Sequence, residues 1–290
     1  MAVLMDGKAL GLKIREQVKI KSEALREKGI TPCLAVVLVG EDPASLSYVN
    51  SKEKALHQAS MESRDIRLPA DTSEAELLTL IANLNKDDKI HGILVQLPLP
   101  KHINEENVIG AIDPKKDVDC FHPVSVGNMV LGKKGFLPCT PHGVLMLLKE
   151  YGVKTKGANV VIIGRSNIVG KPLANLLIRK EYNATVTLCH TGTKDMAYHS
   201  LQADILIAAA GVPEFIKPEM VKEGAAVIDV GINRVNDTAA KKGYRLCGDV
   251  DPAASDKASF FTPVPGGVGP MTIAMLLQNV VEAAGLTDMN

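Results

Sequence analysis

The sequence predicts an α/β protein of two domains, each built on a parallel sheet with helices on its faces. Three observations predict it. A length of 290 residues suits two cores better than one. Short apolar runs alternate with helix-period segments, the pattern of βαβ units. That alternation comes in two sets, separated by IDPKKDVDCFHPVSVGN (112–128), where the periodicity weakens.

The first set reads LAVVLVG (34–40) as a strand, then a helix from Asp42, then RDIRLP (64–69) as a strand. A helix opened by Ser73 and Glu76 follows, and HGILVQLP (91–98) closes the set as a strand. Thr140-Pro141 starts a new helix, and ANVVIIG (158–164) begins the second set. It continues with a helix from Lys171-Pro172 and with ATVTLCH (184–190), ADILIAAAG (203–211) and AAVIDVGIN (225–233) as strands. The last helix, from Met271, has no strand after it and is expected to cross back onto the first domain. The expected domains are 1–138, joined by the final helix 270–288, and 139–269.

Lysine plus arginine and aspartate plus glutamate both total 33, so no basic excess invites nucleic acid. The five cysteines form no CxxC pair and no metal-ligand spacing with the seven histidines, so no metal is expected. Their odd count argues against a disulfide framework and for a reducing, cytoplasmic compartment. The N-terminus meets Asp6 after five residues and lacks the pattern of a secretory signal. Residues 258–281 are uncharged, but PVPGGVGP in their first half cannot stay helical, so no membrane span is expected.

Asp42 can cap the first crossover helix and Pro43 can take its first turn. At about 100° per residue, Val49, Leu56, Ser45, Lys52, Ala59 and Tyr48 share one arc. Lys52 lies in the middle of that least polar face, with Tyr48 a turn before it. Such a lysine either snorkels to water or is an amine kept in a sheltered cleft for proton transfer.

Gln96 is the polar residue at the end of an otherwise apolar strand, where it can hold a polar partner by hydrogen bonds or cap a neighbouring backbone group. Asp117 and Asp119 flank Val118, so in an extended backbone both project to one side. They can pair with Lys115 or Lys116, or hydrogen-bond the N–H and amino edge of a heterocycle.

Gly164 and Gly170 of GRSNIVGKP fall where a strand turns into a helix, a place that favours phosphate. Ser166 stands where the usual fingerprint has its second glycine, and the last glycine comes one residue late. The next strand ends in Cys189-His190-Thr191-Gly192-Thr193-Lys194, without the acid an NAD site normally supplies. Arg165, His190, Thr191 and Lys194 can instead receive a 2′-phosphate, which favours NADP. TPVPGGVGPMT (262–272) sets three prolines and three glycines in eleven residues, a rigid loop of close approach whose N–H groups can point at a ligand.

Tyr48-x-x-x-Lys52, VQLPLP with Gln96, KDVD with Asp119, PCTP (138–141), GRSNIVGKP, VIDVGIN and PVPGGVGPMT occur in one order along essentially the whole chain. In this the sequence resembles the bifunctional methylenetetrahydrofolate dehydrogenase/methenyltetrahydrofolate cyclohydrolase family. The resemblance implies that Lys52 is catalytic, with Tyr48 packing on the folate and Gln96 bonding Lys52. It implies that Asp119 binds the pterin's amino edge, and that Val95 and Leu97 beside Gln96 line the substrate site. Pro265, Gly266, Gly267, Gly269, Pro270 and Thr272 would line the folate too. Gly164, Arg165, Ser166, Thr191 and Ile232 would hold NADP in a Rossmann-like second domain. Cys120 departs from the family pattern, which has glycine after DVD.

The family also implies a homodimer, tetrahydrofolate derivatives as substrates and a cleft between the domains. The implied chemistry is NADP-dependent oxidation of 5,10-methylenetetrahydrofolate, then hydrolysis to 10-formyltetrahydrofolate. A single-activity NADP-dependent dehydrogenase of another small substrate would share the second domain but lack the matched Tyr48, Lys52, Gln96 and Asp119. A non-catalytic NADP sensor would have no use for Lys52.

Overall fold

A computed structural model describes residues 2–240 and 243–287. Met1 and residue 288, the outer limits of the expected first domain, lie outside the described residues. The chain divides into two compact units, residues 12–138 with 273–290, and residues 1–11 with 139–272.

The first of these holds a parallel sheet in the order β3-β2-β4, from β2 (Cys33–Val39), β3 (Glu62–Leu68) and β4 (Gly92–Val95). All seven residues of β2 are buried, as its central place requires, whereas β3 alternates in exposure along an edge. Two helices cross between the strands, α2 (Pro43–Gln58) and α3 (Glu74–Lys86). A capping box starts α3: Ser73 Oγ accepts from the Glu76 N–H at 3.3 Å, and the Glu76 carboxylate accepts from the Ser73 N–H at 2.9 Å. Leu77, Ile81 and Leu84, spaced four and three apart, bury against Val37 and Ile93 of the sheet.

Helices α4 (Glu105–Ala111) and α5 (Pro123–Val130) complete this part of the chain. The unit boundaries fall inside two long helices, α1 (Gly7–Glu27) after Gly11 and α9 (Val268–Thr287) after Thr272. In its later portion α9 is pinned by Asn279, whose Nδ2 donates to Val118 O at 2.7 Å and Leu137 O at 2.9 Å. The helix begins at Val268, three residues before the expected Met271, because Pro270 falls in the first turn, where no N–H is needed.

The other unit holds six parallel strands in the order β1-β11-β8-β7-β5-β6. They are β1 (Val3–Leu4), β5 (Asn159–Ile163), β6 (Thr185–Cys189), β7 (Ile205–Ala208), β8 (Ala226–Asp229) and β11 (Phe260–Phe261). Helices α6 (Cys139–Glu150), α7 (Gly170–Leu177) and α8 (Met196–Ser200) accompany them, with an antiparallel hairpin of β9 (Asn233–Asn236) and β10 (Tyr244–Cys247). The first eleven residues, expected in the other domain, belong here because β1 pairs with β11, Val3 opposite Phe260 and Leu4 opposite Phe261. The Asp6 N–H also donates to Tyr151 Oη at 2.7 Å.

The five cysteines are buried free thiols. Among the described residues no helix is long and apolar enough to cross a membrane.

Candidate active site

Helix α2 is capped by Asp42, whose carboxylate accepts from the Ser45 N–H at 2.8 Å. Ser45, Val49, Leu56 and Ala59 are buried, so the expected arc is the packed face. Lys52 on that arc is half-buried, while Tyr48, at its edge, is exposed. Lys52 Nζ donates to Gln96 Oε1 at 3.0 Å. Gln96 follows the carboxyl end of β4, held in line by its N–H to Val37 O at 2.8 Å. Its Nε2 donates to Leu97 O at 2.7 Å, which leaves the amide oxygen turned to the amine. One end of the amide thus caps backbone and the other accepts from a lysine. Val95 and Leu97, on either side, are half-buried.

Asp117 and Asp119 do not share one side of an extended strand. The Cys120 N–H donates to Asp117 O at 3.1 Å, closing a turn over 117–120. Asp117 is buried and its carboxylate accepts from the Phe121 and His122 N–H groups at 3.1 and 2.8 Å, leading the chain into α5. Lys116 does not pair with it, because its ammonium donates to Leu84 O and Asp87 O at 3.0 and 2.8 Å. Asp119, at the turn's third position, stays half-exposed.

The turn requires φ of +59° at Cys120, the left-handed region that favours glycine. The buried thiol donates to Phe136 O at 3.2 Å and offsets part of that strain. Cys120→Gly should therefore leave stability within about 1 kcal/mol of the parent, while Cys120→Ala keeps the strain, loses the sulfur contact and costs about 1–2 kcal/mol. Urea unfolding of the pair checks this, and an alanine variant as stable as the glycine variant contradicts it.

In the six-stranded unit, adjacent strands bring the expected nucleotide residues to one sheet edge. Residues 164–166 leave the carboxyl end of β5 and residues 190–191 that of β6, with Ile163 opposite Cys189. Residues 209–211 and 230–232 leave β7 and β8, with Ala208 opposite Asp229. Such an edge is where open α/β sheets bind ligands. Gly164 has φ of +125°, and a side chain there would overlap Ala209 O; one at Gly170 would overlap Gly164 O. The irregular fingerprint thus keeps the function of its glycines, close approach of strand and helix. Helix α7 starts without a side-chain cap on its first turn, where the Lys171 N–H donates to Ser166 O at 3.1 Å and Pro172 has no N–H; just before it the Val169 N–H donates to Ser166 Oγ at 3.1 Å. Arg165, Ser166, Thr191 and Lys194 are exposed. His190 is engaged locally, its Nδ1 accepting from the Gly192 N–H at 3.0 Å.

Two buried acids missed at the sequence level organise this edge. Asp229 accepts from the N–H groups of Gly231, Asp249 and Val250 at 3.0, 2.9 and 2.9 Å. Asp249 accepts from the N–H groups of Ala210 and Gly211 at 2.7 and 2.9 Å and from Asn233 Nδ2 at 2.8 Å. Ile232, exposed, hangs between these anchored neighbours. Side chains at Gly231 or Gly248 would collide with the two carboxylates. Burial pushes the Asp229 carboxyl up to about 6, against the three N–H donors that hold it down, with Asp249 adding like charge. The signal was an acid closing the apolar run AAVID.

In the loop after β11, Gly266 has φ of +112° and the Gly267 N–H donates to Pro263 O at 2.7 Å. Gly266 O accepts from the Lys8 N–H at 2.9 Å. Peptides before Pro98 and Pro265 are cis. Thr272 shares a 2.9 Å hydroxyl hydrogen bond with Thr140. Pro265 is exposed, and Gly269 and Pro270 are half-buried in the first turn of α9. Among the described residues no cluster of three or more His, Cys, Asp or Glu side chains could hold a metal.

A lysine fixed by a glutamine in one α/β unit, and a glycine turn at the carboxyl edge of the other, define a nucleotide-dependent α/β enzyme. Residues 5–119 match the profile of the tetrahydrofolate dehydrogenase/cyclohydrolase catalytic domain, and residues 138–287 that family's NAD(P)-binding domain. The chain belongs to the tetrahydrofolate dehydrogenase/cyclohydrolase family. It is 57% identical over 284 residues to the bifunctional protein FolD of Moorella thermoacetica, covering 98% of this chain and 99% of that one. The crystal structure of bifunctional FolD methylenetetrahydrofolate dehydrogenase/cyclohydrolase from Campylobacter jejuni has a TM-score of 0.94 at 50% identity, covering 99% of this chain and 100% of that one. The Trypanosoma brucei methylenetetrahydrofolate dehydrogenase-cyclohydrolase, complexed with NADP cofactor and inhibitor, has a TM-score of 0.95 at 38% identity, covering 100% of this chain and 99% of that one.

Proposed function

We propose that this chain oxidises 5,10-methylenetetrahydrofolate to 5,10-methenyltetrahydrofolate with NADP and then hydrolyses the product to 10-formyltetrahydrofolate. The observation that carries this reading is the 3.0 Å hydrogen bond from Lys52 to Gln96. A general lysine of an apolar helix face would find water, whereas this one is aimed by an amide that is itself fixed. Tyr48 offers its exposed ring to the folate, and Asp119, half-exposed beside the buried Asp117, binds the pterin's N–H and amino edge. Val95, Leu97 and the 265–272 loop supply further folate contacts.

Gly164 and Gly170, which exclude side chains, fit the close approach of a pyrophosphate to the turn between β5 and α7. Arg165, Ser166, Thr191 and Ile232 would hold the rest of NADP. When bound, it accepts the hydride from the carbon bridging N5 and N10. In that step the protein's task is placement. In the hydrolytic step water adds to the same carbon and its oxygen loses both protons as the formyl group forms: Lys52 takes up one and delivers it to N5 as the carbon–N5 bond opens, and the other leaves to solvent. Residues 139–269 would form the nucleotide domain, and the enzyme would act as a cytoplasmic homodimer.

With 5,10-methylenetetrahydrofolate, NADP should give a higher kcat/KM than NAD, and neutralising Arg165 should hurt NADP far more than NAD. Equal kcat/KM values in the parent refute the cofactor assignment, and no turnover with either refutes the proposal. Asp119→Asn replaces one acceptor of a paired hydrogen bond by a donor and should weaken folate binding by about 1–3 kcal/mol. Isothermal titration showing unchanged folate affinity removes Asp119 from the site.

A further inference from the structure

The segment that carries Asp119 also borders a cavity of about 580 Å³, formed entirely within residues 12–138 and 273–290. Among the described residues none of Tyr48, Lys52, Gln96 and Asp119 lines it. Its apolar wall includes Phe136 and Leu286, and its charged lining is Lys115, Lys134 and Glu282. Ser125 of α5 lines it as well, only 7% exposed, and its hydroxyl has no hydrogen-bond partner among the described residues. Cavities of this size, with apolar walls and few polar groups, are the usual form of small-molecule sites.

We propose that this cavity is a second ligand site, for a small organic monoanion with an apolar body, and that its occupancy acts on the Asp119 turn. The lining carries two lysines against one glutamate, so a single negative charge balances it. Phe136 and Leu286 receive the ligand's apolar part.

Hydrogen bonds from Cys120 and from Asn279, and the chain itself, join the cavity wall to the turn. Phe136 O accepts from the Cys120 thiol at 3.2 Å, beside Asp119. Asn279, one turn before Glu282 on α9, holds Val118 O and Leu137 O together at 2.7 and 2.9 Å. Lys115 lies on the same loop, four residues before Asp119. A ligand that shifts Phe136 or the end of α9 therefore moves groups bonded to both neighbours of Asp119. This second half of the proposal rests on the pterin role given to Asp119, whereas the binding itself does not.

The test uses 1-anilinonaphthalene-8-sulfonate, an aromatic monoanion whose fluorescence reports burial. It should titrate a single saturable site on the whole protein, in the presence of NADP as in its absence. Lys134→Glu, at an exposed position that leaves the fold intact, should weaken it at least about fivefold, and Ser125→Leu, which fills the cavity, should remove it. Unsaturable binding, displacement by NADP, or parental affinity in the folded Lys134→Glu variant overturns the site. With the probe saturating, the affinity for tetrahydrofolate by isothermal titration should change at least about twofold, and an unchanged value overturns the link to Asp119. If tetrahydrofolate does not bind even without the probe, the proposed folate function fails, while the probe titration still decides the cavity.

Discussion

Lys52→Met should abolish hydrolysis of methenyltetrahydrofolate, with a loss of at least about 10²–10⁴-fold, the range usual for a group that moves protons in a transition state. Methionine keeps the bulk of the stem and removes the amine, leaving Gln96 Oε1 without the donor it holds at 3.0 Å. Gln96 is half-exposed, so water replaces that donor and the fold survives. Thermal stability should hold or rise, because a charged group leaves an apolar face. Hydride transfer should survive in part, since it needs placement more than proton movement. A folded variant that hydrolyses methenyltetrahydrofolate at the parental rate would reduce Lys52 to a snorkelling lysine.

Asp229→Asn should change how stability depends on pH. The Asp229 carboxyl is raised from 3.8 to about 6, so the folded protein binds its proton more tightly than the unfolded chain does. Its contribution is therefore fully present below the unfolded value and is lost as pH rises through about 6. Between pH values of about 4 and 7 the parent should lose up to about 3 kcal/mol relative to the variant, which has no proton to release there. Urea unfolding of both proteins across that range measures the difference, and parallel profiles would contradict the burial argument. The same substitution puts an amide donor among three backbone donors, so the segment carrying Ile232 should loosen and the KM for NADP should rise.

The sequence was most legible where one residue type met one local need. The Ser73 and Glu76 capping box and the Asp42 cap placed two helix starts, and the wholly apolar run around β2 announced a central strand. Lys52 was legible because a charge stood on an apolar helical arc, and Gln96 because it ended an apolar strand. Their meeting across 44 positions was not readable from periodicity; it came from the family resemblance, and the parallel pairing of β2 with β4 explains it.

Other features left no local trace. The two-residue strands β1 and β11 are too short to show a period, so the first eleven residues were assigned to the wrong unit. The expected pairing of Asp117 with Asp119 on one side assumed an extended chain. A turn instead aims the Asp117 carboxylate at the Phe121 and His122 N–H groups, four and five residues ahead, a local bonding choice that alternation in DVD does not show. The Asp229 and Asp249 network was hidden because each acid bonds N–H groups from distant segments.

That one chain carries out both steps is tested most directly by supplying the unmodified protein with 5,10-methylenetetrahydrofolate and NADP and following NADPH and methenyl absorbance in the same cuvette. NADPH should accumulate while the methenyl signal stays well below it, because the product of the first step is hydrolysed as it forms. Methenyl absorbance rising in step with NADPH, and decaying no faster than it does without protein, would contradict the account.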